Sequence, residues 1–217
     1  MSDREICHPR FARLYVRFAA KADEQGAAEH RRELLAGLTG TVVELGAGNG
    51  LNFRHYPESV SEVIAIEPEP TLRAQAERAA ADAPVPVQVI SGIADSIPLG
   101  TGTADAAVAS LVLCSVPSQE RALAELRRAL KPGGELRFYE HVLAAEQPKR
   151  LLLQALDRSG IWPAVAGGCH PARETASAVE RAGFRISSCR TIMFRAGRLE
   201  PKIPYILGSA TAPEELG

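Results

Sequence analysis

The chain has 217 residues, of which 46% are hydrophobic and 24% charged, and its formal net charge is -1. These values are typical of a folded globular protein and argue against a disordered chain. A net charge this small gives no electrostatic reason to expect binding to nucleic acid or to an anionic membrane surface. The first residues are charged and no apolar signal follows them, and no apolar stretch is long enough to cross a bilayer. We therefore expect a cytoplasmic protein without a membrane span, folded as one domain over residues 1–217.

Residues 1–40 are expected to form a helical cap outside the main pattern of the chain. Residues at three- and four-residue spacing predict an apolar stripe on a first helix: Phe11, Leu14, Tyr15 and Phe18. A second helix is predicted from about Asp23 to Leu38, with the charged run 29–33 facing solvent and three leucines behind it. This pair of helices either forms a lid over a site or simply covers the sheet.

From Thr41 onward, short apolar runs alternate with helical patterns, which is typical of a parallel sheet with helices on both faces. Residues 41–141 are expected to form the core, with strands at 42–45, 63–66, 87–90, 106–109 and 135–139. Helices are predicted at 71–81 and 118–130, the second of which begins at a serine cap and ends before a Pro-Gly-Gly stop. Residues 142–217 are expected to add a substrate-side insert, with a helix at 149–156 and a glycine-rich loop at 166–171, then a helix at 174–181 and strands at 184–194 and 203–207.

The first predicted strand of the core runs straight into a glycine-rich turn made of Gly46, Ala47, Gly48, Asn49 and Gly50. A strand, a glycine turn, a helix, a second strand and an acidic residue form the pattern of a nucleoside-binding βαβ unit. A dinucleotide fingerprint would place its third glycine at position 51, which is a leucine. S-adenosylmethionine has no phosphate, and its cationic groups favour a nearby carboxylate, which Glu44 supplies. Glu67, at the end of the second strand, is placed to accept hydrogen bonds from both ribose hydroxyls.

Two later segments add to the case for this cofactor. The segment 92–98 follows the third strand, where backbone groups of Ile93 and Ala94 would read the edge of an adenine. Ser110 and Leu111 lie at the C-terminal end of the fourth strand, the edge at which open α/β sheets bind ligands. The sequence therefore favours S-adenosylmethionine, with S-adenosylhomocysteine as product. A nicotinamide-dependent oxidoreductase and a non-catalytic binding module are the alternatives from other classes.

The motifs Glu44–Gly50 and Leu130–Gly134, with the ordered strands between them, resemble the class I S-adenosylmethionine-dependent methyltransferases. The resemblance covers about residues 42–140. It implies a Rossmann-like, mostly parallel sheet of seven strands with the last strand antiparallel, and it implies methyl transfer as the activity.

Three segments are more specifically similar to the methyltransferase-like alkyl-thiol S-methyltransferases: 111–116, 138–142 and 168–175. Two further similar segments contain Asn52 and Pro68, and the resemblance implies that both residues belong to the cofactor site. Glu67 stands where that group has an aspartate, which keeps the carboxylate. The resemblance implies a small thiol as methyl acceptor. An O- or N-methyltransferase acting on a quinone, a phenol or a natural product is the alternative.

Four residues are candidates for the acceptor side of the site. His141, just past the fifth strand, would take the acceptor proton or orient the acceptor, unless a backbone carbonyl holds its ring. Tyr15, Cys114 and His170 are candidates for acceptor binding, although Tyr15 also fits a core role and Cys114 a packing role. Ile161 and Trp162 would form an apolar pocket wall or anchor the insert.

The cysteines give no sign of a metal site or a disulfide framework. None of the four is spaced as a metal-ligand pair: Cys7, Cys114, Cys169 and Cys189. We therefore expect no metal. The resemblance to the methyltransferases implies a small-molecule substrate. The sequence does not indicate an oligomeric state.

Overall fold

The computed structural model describes residues 9–142, 159, 169–170, 173–195 and 202–214, with side chains from residue 12 onward. The helix predicted at 149–156 lies outside the described residues. So do Ile161, Trp162 and the beginning of the glycine-rich loop at 166–168.

The described elements alternate as the sequence predicts. The helical cap consists of α1 (Pro9–Ala22), a π-helical turn (Asp23–Ala27) and α2 (Ala28–Leu35). The remaining elements follow in chain order: β1 (Gly40–Leu45), a 3-10 turn (Phe53–His55), β2 (Val60–Ile66), α3 (Pro70–Ala80), β3 (Val87–Ile90), β4 (Ala104–Ser110), α4 (Gln119–Ala129), β5 (Leu130–His141), α5 (Thr175–Arg181), β6 (Arg185–Phe194) and β7 (Ile203–Thr211).

The seven strands form one sheet in the order β3-β2-β1-β4-β5-β7-β6. The strands β1 to β5 pair in parallel, and β7 pairs antiparallel with both β5 and β6. The predicted seven-stranded, mostly parallel sheet is confirmed. The strand order reverses between β1 and β4, and this reversal opens a crevice at the carboxyl ends of the strands.

Successive residues of a strand enter two separate cores, because side chains alternate between the faces of a sheet. Val43 of β1 packs in a core that contains Leu123 of α4. Its neighbour Val42 packs on the other face with Leu34 and Leu35 of α2. The prediction of helices on both faces is therefore confirmed.

The helix α1 turns a different face inward from the one that its sequence pattern predicts. Leu14 and Phe18 are 46% and 50% exposed, whereas Ala12 and Ala19 are buried. Tyr15 of α1 reaches Gly48 in the glycine turn. The predicted apolar stripe is therefore wrong at Leu14 and Phe18.

The second cap helix is shorter than predicted and its charged run does not face solvent throughout. Gly26, with φ 117, interrupts the helix before α2, a conformation that glycine adopts without steric cost. Arg31 is only 5% exposed, and the His30 ring packs against Tyr139. The three leucines behind the run are buried as expected.

Gly208 in β7 lies at a tightly packed point of the sheet, between β5 and β6. A Cβ at this position would lie 2.4 Å from the backbone oxygen of Ser188 and 2.6 Å from the Phe138 ring. Alanine normally suits a strand better than glycine, but here the backbone oxygen cannot easily give way. We expect Gly208→Ala to lower the free energy of unfolding by about 1–3 kcal/mol, measured by urea denaturation. The control Ser209→Ala removes only an exposed hydroxyl contact and should cost less than about 1 kcal/mol; equal losses would contradict the packing argument.

Candidate cofactor and acceptor site

The glycine turn after β1 lies between α1 and the loop that follows β4. Gly46 and Gly48 have φ values of 65 and 59, which favour glycine. A Cβ on Gly46 would lie 2.4 Å from Cγ2 of Val112, and a Cβ on Gly48 would lie 3.0 Å from the Tyr15 hydroxyl. The predicted residues Gly46, Ala47 and Gly48 therefore sit at the carboxyl edge of the sheet, where the backbone is closely approached from both sides.

Glu67, directly after β2, points its carboxylate at this turn. The Gly48 N–H donates to Oε2 at 2.7 Å and the Glu69 N–H donates to Oε1 at 2.9 Å. Burial raises the pKa of Glu67 to about 7, although the two backbone donors act against the rise. Arg73 fixes the backbone at Glu67 and Pro68 by donating hydrogen bonds to their carbonyl oxygens. Each carboxylate oxygen keeps a second lone pair, so Glu67 retains the capacity to accept further hydrogen bonds.

Glu44 in β1 is enclosed, with 1% of its surface exposed. Asn52 donates to its Oε1 at 2.8 Å and the Tyr56 hydroxyl donates to its Oε2 at 2.7 Å. Burial raises the pKa of Glu44 to about 7, and the two donors and the charge of Arg31 lower it. Glu44 therefore acts on the site chiefly by fixing Asn52.

Arg31 of α2 is a residue at the site that the sequence pattern did not identify. Its Nη1 donates to Oδ1 of Asn52 at 2.9 Å and to the Ser110 hydroxyl at 3.4 Å. Its Nε pairs with Asp23 at 3.0 Å, and both side chains are buried. Arg31 precedes the buried Leu34 and Leu35 by three and four residues, and this helical spacing was the available signal. The helical cap is thus tied to the glycine turn by a buried guanidinium.

The segment after β3 has a buried acceptor at the place predicted for an adenine. Ile93 and Ser96 form a short bridge around Ala94 and Asp95. Oδ2 of Asp95 pairs with Arg121 at 3.3 Å. Its Oδ1 is buried and makes no hydrogen bond within the described part of the chain. An acceptor of this kind is costly unless a ligand donor satisfies it.

These features fit S-adenosylmethionine. The turn leaves no room for Cβ atoms, Glu67 offers lone pairs for the ribose, and Asp95 offers an acceptor beside the adenine segment. Leu111 adopts φ 57, a left-handed conformation that is strained for a leucine. Backbone strain of this kind is concentrated at functional sites. Its N–H donates to the Tyr139 carbonyl at 2.7 Å.

On the acceptor side, Glu140 of β5 holds the loop that carries Cys114. Its Oε1 accepts from the Val112 and Leu113 N–H groups at 2.9 and 2.8 Å, and its Oε2 accepts from the Cys114 N–H at 3.1 Å. The carboxylate is fully buried, and burial raises the pKa of Glu140 to about 7 against these donors. Sequence reasoning missed this residue, although its place beside His141 at a strand end was a usable signal.

His141 faces two thiols. Its Nδ1 lies 3.8 Å from the Cys114 Sγ and 3.6 Å from the Cys169 Sγ. Its ring lies on Tyr205 with centroids 4.3 Å apart. A hydrogen bond with Cys169 and burial raise the pKa of the Cys114 thiol well above its ordinary value. Within the described part of the chain, the polar atoms beside Nδ1 of His141 are thus the two sulfurs.

His170 and Arg173 are both hydrogen-bonded to the loop after β4. The His170 N–H donates to the Cys114 carbonyl at 2.7 Å. Arg173 donates to the Leu113 carbonyl at 2.7 Å. His170 thus takes part in the site through its backbone, and Cys169 enters the site although the sequence pattern gave it no role.

Tyr15 of α1 lies against the glycine turn, with its hydroxyl 3.0 Å from the position of a Cβ on Gly48. Burial of its hydroxyl raises the pKa of Tyr15; the charge of Arg31 lowers it, and those of Glu67, Cys114 and Glu44 raise it. The four acceptor-side candidates, Tyr15, Cys114, His141 and His170, are therefore brought to one edge of the sheet.

The chain is similar to known methyltransferases in sequence and in fold. The family model described as "Methyltransferase domain" matches residues 43–138. The human thiol S-methyltransferase TMT1A is 35% identical over 191 residues, which cover 82% of this chain and 77% of that protein. The demethylmenaquinone methyltransferase of Thermobifida fusca is 34% identical over 122 residues, or 56% of this chain and 49% of that protein.

A solved structure has the same fold. A methyltransferase of Thermotoga maritima, described as a possible histamine N-methyltransferase, matches with a TM-score of 0.70 and 21% identity, covering 94% of this chain and 97% of its own. None of the described helices combines the length and the apolar character that crossing a membrane requires. With its sheet order, its glycine turn and its relatives taken together, the chain belongs to the class I S-adenosylmethionine-dependent methyltransferases.

Proposed function

We propose that the protein methylates the sulfur of a small thiol. The observation that carries this choice is the 35% identity to a thiol S-methyltransferase over 82% of the chain. The acceptor edge supports it, because the buried Cys114 and Cys169 and the half-buried His141 give it a soft, weakly polar lining rather than a strong base. A thiol with a pKa near ~8.5 is already a few per cent thiolate at neutral pH and strongly nucleophilic.

Bound S-adenosylmethionine supplies an electrophilic methyl group on a sulfonium sulfur. On this proposal the Glu67 carboxylate holds the ribose, and Ile93, Ala94 and Asp95 receive the adenine. Arg31, Asn52 and Ser110 face the methionine end, where a buried guanidinium suits a carboxylate. The chain's contribution is then chiefly positioning, since in-line transfer to a thiolate depends on alignment of the reacting atoms.

On the acceptor side, His141 is the candidate catalytic residue, and Tyr15 and Cys114 flank the acceptor. Glu140 positions Cys114 through three backbone hydrogen bonds. The thiol proton passes to His141 or to water, and a weak base suffices for a thiol.

A second candidate is methylation of a quinone or phenol. The 34% identity to a demethylmenaquinone methyltransferase supports it, although the match covers 56% of this chain. A phenol or an alcohol holds its proton more tightly than a thiol, so this reaction would need a stronger base than the described acceptor edge offers.

The acceptor class is tested with radiolabelled S-adenosylmethionine and three acceptors of similar size. These are an alkyl thiol, the alcohol with the same carbon skeleton, and a phenol. We expect label in the thiol alone at neutral pH, because only the thiol carries an appreciable fraction of its conjugate base. Label in the phenol alone would overturn the thiol assignment, and label in none of them would favour a binding module.

The ribose contact is tested with Glu67→Ala. Removing the charged acceptor should weaken S-adenosylhomocysteine binding by about 1.5–3 kcal/mol, measured by calorimetry. Glu62→Ala is a matched control, because Glu62 is an exposed carboxylate on β2, the strand that Glu67 directly follows. An unchanged affinity in Glu67→Ala, or tighter binding of NAD by the wild type, would contradict the assignment of the site.

The raised pKa of Glu67, about 7, predicts a pH-dependent affinity. Ribose hydroxyls donate to the ionised carboxylate, so binding favours the deprotonated form and releases a proton. Affinity for S-adenosylhomocysteine should therefore rise with pH, by up to about tenfold per unit below the pKa, and level off above it. Calorimetry in two buffers of different ionisation enthalpy measures the released proton. Glu67→Gln should abolish the dependence; a slope that persists would assign the proton to another group.

A further inference from the structure

We propose that Cys114, Cys169 and His141 form a binding site for a thiophilic divalent metal ion, zinc in particular, whose open position takes the acceptor thiol. The choice of ligand rests on the proposed function, whereas the metal site rests on geometry alone. The sequence-based expectation of no metal is thereby revised, because residues that lie far apart in the chain meet in the fold.

The three donor atoms have the spacing of a tetrahedral zinc site. They all lie within 4.8 Å of one another, and Nδ1 of His141 is 3.8 and 3.6 Å from the two sulfurs. With Zn–S near 2.3 Å and Zn–N near 2.0 Å, tetrahedral geometry places sulfur about 3.6 Å from nitrogen. An ion would therefore fit between these side chains with little movement of the backbone.

The donor set suits a soft ion. Two thiolates and one imidazole select zinc or another thiophilic metal over magnesium or calcium. Two thiolates and a neutral imidazole also balance the charge of a divalent ion before an acceptor binds.

The surroundings fix the ligands in place. Glu140 accepts a hydrogen bond from the Cys114 N–H. The Cys114 carbonyl accepts one from the N–H of His170, which follows Cys169, so the backbone holds the two cysteines near each other. The His141 ring rests on Tyr205. Supporting contacts of this kind orient ligands and strengthen metal binding.

The site lies where a metal would act on an acceptor. Cys114 follows β4 and His141 ends β5, so both stand at the carboxyl edge beside the glycine turn. Three ligands from the described residues leave one tetrahedral position for another donor, the arrangement of catalytic rather than structural zinc. A thiol that binds there donates a sulfur lone pair to the ion and releases its proton to water. A metal lowers the pKa of a bound thiol, so the acceptor would be held as thiolate at neutral pH.

The metal site is tested first without cofactor or acceptor. The full chain, kept reduced and freed of metal by chelator, is titrated with Co²⁺, which reports thiolate ligation by charge-transfer absorption and tetrahedral geometry by its visible bands. We expect one equivalent of Co²⁺, displaced by Zn²⁺. Cys114→Ser and Cys169→Ser should each weaken binding by more than about 100-fold, beyond the effect of losing a supporting contact.

Cys189→Ser is the matched control, because Cys189 is an exposed free cysteine outside the cluster. It should leave Co²⁺ binding unchanged. Zn²⁺ should also raise the melting temperature of the wild type and of Cys189→Ser, but not of the cluster variants, whose fold is checked by circular dichroism. Absence of thiolate bands, or equal binding by all the variants, would overturn the site.

The role toward the acceptor is tested on the Co²⁺-loaded protein. An alkyl thiol should shift the cobalt spectrum, and the alcohol with the same skeleton should not. Chelator-treated protein should lose at least tenfold in thiol methylation and recover it with Zn²⁺. Full methylation without metal would overturn this inference and leave the proposed function standing. If the protein bound cobalt but methylated only the phenol, the metal site would be supported and the thiol assignment would be overturned.

Discussion

Buried carboxylates at the ends of parallel strands hold the working edge of this protein together. Glu44 in β1, Glu67 after β2 and Glu140 in β5 each accept two or three hydrogen bonds from the segments around them. Each carboxylate supplies the acceptor that these buried donors would otherwise have to find in water. The glycine turn, the Asn52 amide and the Cys114 loop all take their positions from these three groups.

This arrangement has an electrostatic cost. Burial raises the pKa of all three carboxyl groups to about 7, and hydrogen-bond donors and nearby basic side chains oppose this rise. Glu140 uses three backbone N–H groups, and Arg31 lies close to Glu44. Glu67 has two donors and remaining lone pairs, which leaves it the best suited of the three to exchange hydrogen bonds with a ligand. Groups with shifted pKa values concentrate at functional sites for this reason.

The sheet and the cofactor turn could be predicted from sequence because their signals are local. Strand runs, the serine cap of α4 and the glycine spacing all act within a few residues. The cap could be predicted only in part: Leu14 and Phe18 look like core residues, and the approach of α1 to Gly48 depends on contacts distant in the chain. The cluster of Cys114, His141 and Cys169 could be predicted only in part. Cys114 and His141 are expected at one edge because each follows a strand, whereas the position of Cys169 depends on contacts distant in the chain.

The kink at Gly26 places Asp23 where it pairs with both Arg31 and Arg54. Arg31 in turn contacts Asn52 and Ser110 at the glycine turn. One guanidinium therefore joins the helical cap to the end of the site that we propose for the methionine. A ligand that bound there through Arg31 would stabilise the cap, and, because linkage is reciprocal, contacts that hold the cap in place would raise the affinity for that ligand by the same factor.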